Sequence, residues 1–383
     1  MCRIITAKQA ENMPFIHEIP EWPQLKWDDT KLLSLLAEVR HRQGRLLGRM
    51  EGLGFPLRAE ATLTTLTADV IKSSAIEGEQ LDAEAVRSSI ARRLGLDVGG
   101  ASPASRDIEG IVEMMLDATQ KYAQPLTSER LFGWHAALFP TARSGMRRIT
   151  VGAWRPAEAG PMQIVSGPMG RERVHFEAPS ADRLEHEMSV FLDWFGASNG
   201  IDPVLKAGVA HFWFVTIHPF EDGNGRIGRA ITDMALARAE GTAERFYSMS
   251  SQIEAERRQY YLHLEQNQRG GADITSWLEW FLGCLGRAVA GAETDLAGIL
   301  RKAKIWERIN AEPVNERQRK IINLLLDGFE GNLSTSKYAK LAKCSEDTAL
   351  RDIKILIERG ILIQDEGGGR STSYRLVDDD QNP

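Results

Sequence analysis

The 383-residue sequence predicts a mostly α-helical protein with one β-hairpin flap and a small C-terminal unit of three helices and a hairpin. Three observations predict this. Apolar residues recur at helical spacing through most of residues 28–290. Between Gly145 and Pro179 that period breaks into glycine, proline and short β-prone pieces. From Val314 onward, helical segments give way to two strand-like ones around a run of glycines. Length allows two or three domains with proper cores.

Apolar residues make up 43% of the chain and charged residues 26%, as in soluble globular proteins. The net charge of −6 provides no global basic field to draw the chain onto nucleic acid or an anionic membrane. Cys2, Cys284 and Cys344 are odd in number and form no CxxC pair, which disfavours a disulfide framework or zinc knuckle. With no basic-then-apolar leader and no run of membrane-spanning length, a reducing cytoplasm is the expected compartment.

Taken in order, residues 1 to about 25 are irregular, with Pro14, Pro20 and Pro23. Trp22 and Trp27 flank Pro23 and are expected to staple this arm to a neighbour, with peptide binding as the functional alternative. Leu32, Leu33, Leu35, Leu36, Val39, Leu46 and Leu47 predict a helix from Asp28 to about Leu53, stopped by Gly52, Gly54 and Pro56. A second runs from about Arg58 to Ile76 and ends at Glu77-Gly78, where glycine suits a C-terminal cap. Glu77 is misplaced there, because a helix C-terminus favours cations; solvated surface is the bland reading of such an acid.

Helices follow over 83–94, 108–122 and 128–138. The flap holds β-prone pieces at 149–151, 163–165 and 173–176. Helices resume at 183–195, 203–217, 229–239, 251–268 and 277–289, and 294–310 reads as a charged linker. In the tail, helices are expected over 318–326, 336–341 and from the N-cap Ser345 to Arg359, then strands 361–363 and 373–377 around Gly367-Gly368-Gly369. Three helices then a hairpin is the order of a winged helix-turn-helix domain. Its expected recognition helix sets Arg351, Lys354 and Arg359 against Glu346, Asp347, Asp352 and Glu358, a poor balance for phosphate contact. Arg370 in the wing and Lys337, Lys340 and Lys343 compensate in part, so DNA binding and protein docking both stay open. The division expected is 1–100, 101–290, a linker 291–313, and 314–383.

The chemistry concentrates in His218-Pro219-Phe220-Glu221-Asp222-Gly223-Asn224-Gly225-Arg226-Ile227-Gly228-Arg229, between two apolar helices. Gly223 and Gly225 let backbone amides converge on an anion, and the following helix N-terminus adds its positive end. Arg226 and Arg229, three apart on one face, can grip phosphate oxygens. Asp222 is a hard oxygen ligand suited to Mg²⁺. His218 can take a proton from an incoming hydroxyl. Base, metal carboxylate, anion nest and two cations together suit phosphoryl or nucleotidyl transfer. A calcium loop fails, because its fifth and sixth positions are Arg226 and Ile227. A Walker A loop fails for want of Gly-Lys-[Ser/Thr]. A structural histidine beside a mere turn fits a lone histidine, not this cluster.

These twelve residues resemble the signature of the Fic family, His-x-Phe-x-[Asp/Glu]-Gly-Asn-Gly-Arg-x-x-Arg, at every defined position. The resemblance covers about residues 20–290 and implies a Fic-type helical bundle with a β-hairpin flap; the winged-helix tail resembles that of multi-domain bacterial members. It implies a protein adenylyltransferase that moves AMP from ATP to Ser, Thr or Tyr hydroxyls with Mg²⁺. His218 would then be the general base and Asp222 the metal ligand. Gly223, Asn224 and Gly225 would hold the α- and β-phosphates, Arg226 the β- and γ-phosphates, and Arg229 the γ-phosphate.

Ser73-Ser74-Ala75-Ile76-Glu77-Gly78 similarly fits the family's inhibitory motif, [Ser/Thr]-x-x-x-Glu-[Gly/Asn]. Ser73, Glu77 and Gly78 would then form an internal inhibitory element, with Glu77 bridging Arg229. The flap would align a target segment by β-augmentation, Val165 and Ser166 would border the nucleotide, and Tyr260, Tyr261 and Gln268 would line the adenine pocket unless the tyrosines are core aromatics. The partners implied are a hydroxyl-bearing protein (the chain itself included), a second copy in a homodimer, DNA through the tail, and no membrane. Two alternatives stand beside transfer: a nucleotide-sensing DNA-binding regulator, and a hydrolase in which Glu77 positions water to remove AMP.

Overall fold

The computed structural model describes residues 13–96, 103–166, 173–301, 314–326, 329, 331–365 and 372–377. Two compact units emerge, Met1–Thr294 and Asp295–Pro383.

In the first unit, α1 (Asp29–Glu51) starts where Asp28 accepts the Thr30 amide at 3.0 Å. Helix α2 (Phe55–Ile76) begins three residues earlier than expected. Pro56 opens it rather than stopping its predecessor, because a first-turn residue has no intrahelical use for an N–H. Helices α3 (Ala83–Arg93), α4 (Arg106–Gln120) and α5 (Ser128–Leu138) are capped by Asp82, Ser105 and Thr127.

The flap differs from the expected pattern at 149–151, which is not a strand. The local pair is instead β1 (Arg143–Ser144) with β2 (Arg147–Arg148), antiparallel around Gly145-Met146. Ile149 is drawn into the core, 5% exposed, which takes the segment off the ladder. Strands β3 (Gln163–Ser166) and β4 (Arg173–Glu177) form the flap hairpin, with a register shift between Ile164 and Val165.

Helix α6 (Leu184–Gly196) precedes α7 (Pro203–Ile217), which is apolar on every side and buried from Ala207 to Ile217. A helix with no polar face belongs at the centre of a bundle, and α8 (Asn224–Glu240) packs along it. The single helix expected over 251–268 is two, α9 (Met249–Ala255) and α10 (Arg257–Asn267). The chain breaks at Glu256, whose carboxylate accepts from Arg287 at 2.6 Å. Helix α11 (Thr275–Asp295) closes the unit. The N-terminal arm is tied down as expected by Trp22, whose Nε1–H donates to Glu187 at 2.7 Å; Trp27 bonds only its near neighbour Asp29.

The second unit runs α12 (Glu316–Leu326), α13 (Thr335–Ala342), α14 (Glu346–Glu358), then β5 (Leu362–Gln364) paired antiparallel with β6 (Tyr374–Leu376). Ile321, Ile322, Tyr338, Ile353 and Leu356 build its core. That is the expected order of elements. The glycine turn with Arg370, the flap tip at 167–172 and most of the linker lie outside the described residues.

Helices α2 and α8 share a buried polar seam. Asp69, one turn before Ser73, faces Asp233, one turn after Arg229, and both are at most 3% exposed. Burial first, then the Asp69 charge, pushes the Asp233 carboxyl well above the usual carboxylate range, against the pull of Arg245. The folded value is raised, so the stability held at acid pH is lost as pH climbs from the ordinary carboxylate range through the raised value. Asp233→Asn copies the protonated acid, and thermal melts of the variant should fall less over that climb than those of the parent. Equal slopes would count against the protonated acid.

Candidate active site

Helix α7 ends at His218, which takes the left-handed conformation (φ 51°, ψ 59°) that non-glycine residues rarely adopt. Its Nδ1–H donates to the Val215 carbonyl at 3.1 Å, which leaves Nε2 as the nitrogen free to accept a proton. Arg155 holds the turn from outside, donating from Nε to the His218 carbonyl at 2.9 Å and from its backbone amide to the Pro219 carbonyl at 2.8 Å. Burial lowers the His218 pKa below its ordinary value; the Val215 bond opposes this, and the Arg155 charge adds to it.

Asn224 closes the loop after the histidine. Its side-chain oxygen accepts the Phe220 amide at 2.9 Å and its nitrogen donates to the Phe220 carbonyl at 2.8 Å. The Asn224 side chain is thus committed to the loop, and its backbone amide is what it can offer an anion. Phe220 stacks on His135 with centroids 4.2 Å apart. Burial takes the His135 pKa down to about 4, so a neutral ring floors the loop. Glu221 accepts the Thr150 amide at 2.7 Å and Arg147 at 3.0 Å, fastening the loop to the segment after β2. Gly223 at φ +82° caps α8 with no side-chain cap, which leaves the first-turn amides of α8 able to receive an anion.

Asp222 stands beside that turn, accepting from Ser144 Oγ. Among the described residues, no group of three His, Cys, Asp or Glu side chains could hold a metal ion alone. A lone carboxylate beside an anion nest fits Mg²⁺ that takes its remaining ligands from phosphate and water.

Helix α2 delivers its end to this turn. The Gly78 amide donates to Ala75 O and the Glu79 amide to Ser74 O, both at 3.0 Å, with Gly78 at φ +88°. This is a Schellman cap, and it places Glu77 at the helix end with its side chain turned toward α8. Glu77 Oε1 accepts from Arg229 at 2.8 Å, and Ser73 receives Arg229 twice, at 2.9 Å on Oγ and 2.8 Å on the carbonyl. The acid that is misplaced at the C-terminus of α2 is well placed at the N-terminus of α8. Gly225 makes the approach possible, since a β-carbon there would lie 2.1 Å from Glu77 Oε1. Arg226 donates to Glu79 at 2.7 Å and lies over the Phe139 ring. Both arginines are buried, 3% and 1% exposed, and Arg226 Nε and Arg229 Nη1 have no partner among the described residues.

The structure thus brings together His218, Asp222, Gly223, Asn224, Gly225, Arg226, Arg229, Ser73, Glu77 and Gly78. The residues expected at the adenine divide. Tyr260 is 2% exposed, bonded to His211 at 2.9 Å and packed on Trp277 and Trp280, as a core aromatic is. Gln268 is buried with its amide on Thr216, while Tyr261 stays part-exposed. Val165 and Ser166 sit on β3, where Ser166 Oγ bonds His175 at 2.6 Å and His175 bonds Glu265 at 2.9 Å, tying the flap to α10.

Arg155, Glu221, His135 and Glu79 escape the sequence reading; only Glu79, in the Glu-Gly-Glu triplet, had a legible signal. In the second unit, Asp352 is buried and paired with Arg317 at 2.9 Å, so it leaves the outer face of α14. With the C-cap Arg359 counted, the remaining cations and acids are equal in number, three of each.

Comparison with known proteins bears on this site. Residues 125–236 match the Fic/DOC family, and residues 15–96 match a domain of unknown function, DUF4172. A protein adenylyltransferase Fic from Nematostella vectensis is 23% identical over 289 residues, 75% of this chain and 61% of that protein. Protein adenylyltransferase fic-1 of Caenorhabditis elegans is 31% identical over 96 residues, 24% of this chain and 18% of that one. The chain thus spans at most about three-fifths of the length of these curated relatives. A Fic family protein from Desulfovibrio desulfuricans shares the fold across 92% of this chain and 97% of its own, with a TM-score of 0.57 at 24% identity. No described helix is long and apolar enough to cross a membrane. The signature loop lies inside the matched segment, so the chain carries a Fic domain over residues 125–236, and it shares its fold almost end to end with a solved Fic family protein.

Proposed function

We propose that the chain transfers AMP from ATP to a Ser, Thr or Tyr hydroxyl of a protein, and that Glu77 restrains the transfer. One observation carries this reading: a histidine with Nε2 free stands one turn from a helix N-terminus flanked by two buried arginines with unpartnered N–H groups. Buried cations of this kind call for an anion. The relatives called protein adenylyltransferase support the same reaction.

In the proposed step His218 Nε2 takes the proton of the target hydroxyl, and the oxygen attacks the α-phosphorus of ATP. The bond from that phosphorus to the bridging oxygen breaks, and pyrophosphate leaves with the electron pair. The α8 amides and Arg226 and Arg229 stabilise the charge gathering on the phosphate oxygens. Asp222 would hold Mg²⁺, which supplies charge neutralisation on those oxygens when bound. Target choice falls to the flap, whose strand edge can pair with an extended segment.

Two labelled nucleotides test this. With Glu77→Gly protein and a cell extract, ATP labelled at the α-phosphate should leave label on protein, and ATP labelled at the γ-phosphate should not. Label from the γ-position would make the reaction phosphoryl transfer. No label from either, with salt-sensitive DNA binding that survives His218→Ala, would favour a regulator instead.

A further inference from the structure

Glu77 is not the only acid that α2 brings to the nucleotide site. Two residues on, past the left-handed Gly78, Glu79 Oε2 accepts from Arg226 Nη1 at 2.7 Å. The two contacts differ in kind. Glu77 is about one-third exposed and stands against the backbone of Gly225; its partner Arg229 is also held twice by Ser73. Glu79 is about half exposed, and its partner Arg226 is 97% buried, resting on Phe139 with Nε unpartnered. Arg226 thus presents a fixed guanidinium edge, and a half-exposed carboxylate occupies part of it. Glu79 also lines a cavity of about 560 Å³ with Arg226, Arg143 and Ser144, which gives its side chain room to leave without moving α2.

The geometry points to Glu79 as a second acidic competitor that occupies the phosphate-binding edge of Arg226 and so sets the affinity for the nucleotide, separately from Glu77. The inference rests on the nucleotide reading of the site. A phosphate brought to the same guanidinium edge meets the Glu79 carboxylate, and the two like charges repel, so a bound triphosphate must displace Glu79. That exchange weakens binding. It does not touch the arrangement around His218, so the effect falls on KM and not on kcat.

The test compares Glu77→Gly with Glu77→Gly/Glu79→Gln and Glu77→Gly/Glu79→Ala in the 383-residue chain. Calorimetry with a non-hydrolysable ATP analogue plus Mg²⁺ reads binding, and initial rates read KM and kcat. Both double variants should bind the analogue about fivefold more tightly, the scale of a half-exposed ion pair, with a matching fall in KM and kcat held. AMP, which lacks the outer phosphates, should show no such gain. Unchanged affinity and KM in both double variants, with folding intact by circular dichroism, would overturn the proposal. If folded Glu77→Gly protein binds no nucleotide at all, the nucleotide reading itself fails. Tight binding with indifference to residue 79 removes only the Glu79 proposal.

Discussion

Glu77→Gly should raise AMP transfer from ATP by about tenfold to a hundredfold, the equivalent of one charge-assisted hydrogen bond of about 1.5–3 kcal/mol. Arg229 is 1% exposed, and its Nη2 is engaged by both Glu77 and the Ser73 carbonyl. With Glu77 present, a terminal phosphate reaching Arg229 meets a carboxylate already in place, and like charges at that distance repel. Removing the acid keeps the cation, keeps the two Ser73 bonds that aim it, and frees one edge for phosphate. The gain should fall mainly on kcat, because what changes is how the nucleotide is seated for attack. The same substitution strips a buried arginine of its counter-charge, so the melting temperature should drop and should recover when ATP and Mg²⁺ are added. A variant with unchanged turnover, or one that nucleotide does not restabilise, would remove Glu77 from the role of restraint.

His218→Ala in the Glu77→Gly background should lower turnover by about 10²- to 10⁴-fold, the usual share of a positioned general base. Nδ1–H is committed to Val215 and Arg155 clamps the carbonyl, so no second group inherits the free Nε2. The pH dependence carries a sign. Burial lowers the His218 pKa, and Glu77 and Asp222 push it up. A lowered pKa keeps the base neutral through the physiological range, so kcat should hold level there and fall only below the ordinary histidine value of about 6.5. Removing Glu77 withdraws one upward influence, so the acid limb of Glu77→Gly should lie at lower pH than that of the parent. An acid limb at or above the ordinary value, or a limb that moves up in the variant, would exclude His218 as the titrating base.

Much of the site was legible because its parts are local. The run from His218 to Arg229 is twelve residues on one turn and one helix start, so its amides, cations and acid must lie close whatever the rest of the chain does. Helix α7 was legible for a similar reason: a run apolar on every side can only be central. The hairpin piece at 149–151 and the break at Glu256 were not legible. In each, a partner far away in sequence outweighs local propensity: the core takes Ile149, and Arg287 takes Glu256.

The clearest division concerns α2. Its sequence by itself determined a helix ending at Glu77-Gly78, an acid against the local dipole, and by resemblance a partner in Arg229. Only the tertiary structure decided that the acid lies at the positive end of α8, that Gly225 leaves it room, and that Glu79 reaches Arg226. Those outcomes depend on how two helices about 150 residues apart cross. A residue's own neighbours along the chain fix its backbone, but its electrostatic energy is set by whatever the fold places within a few ångströms.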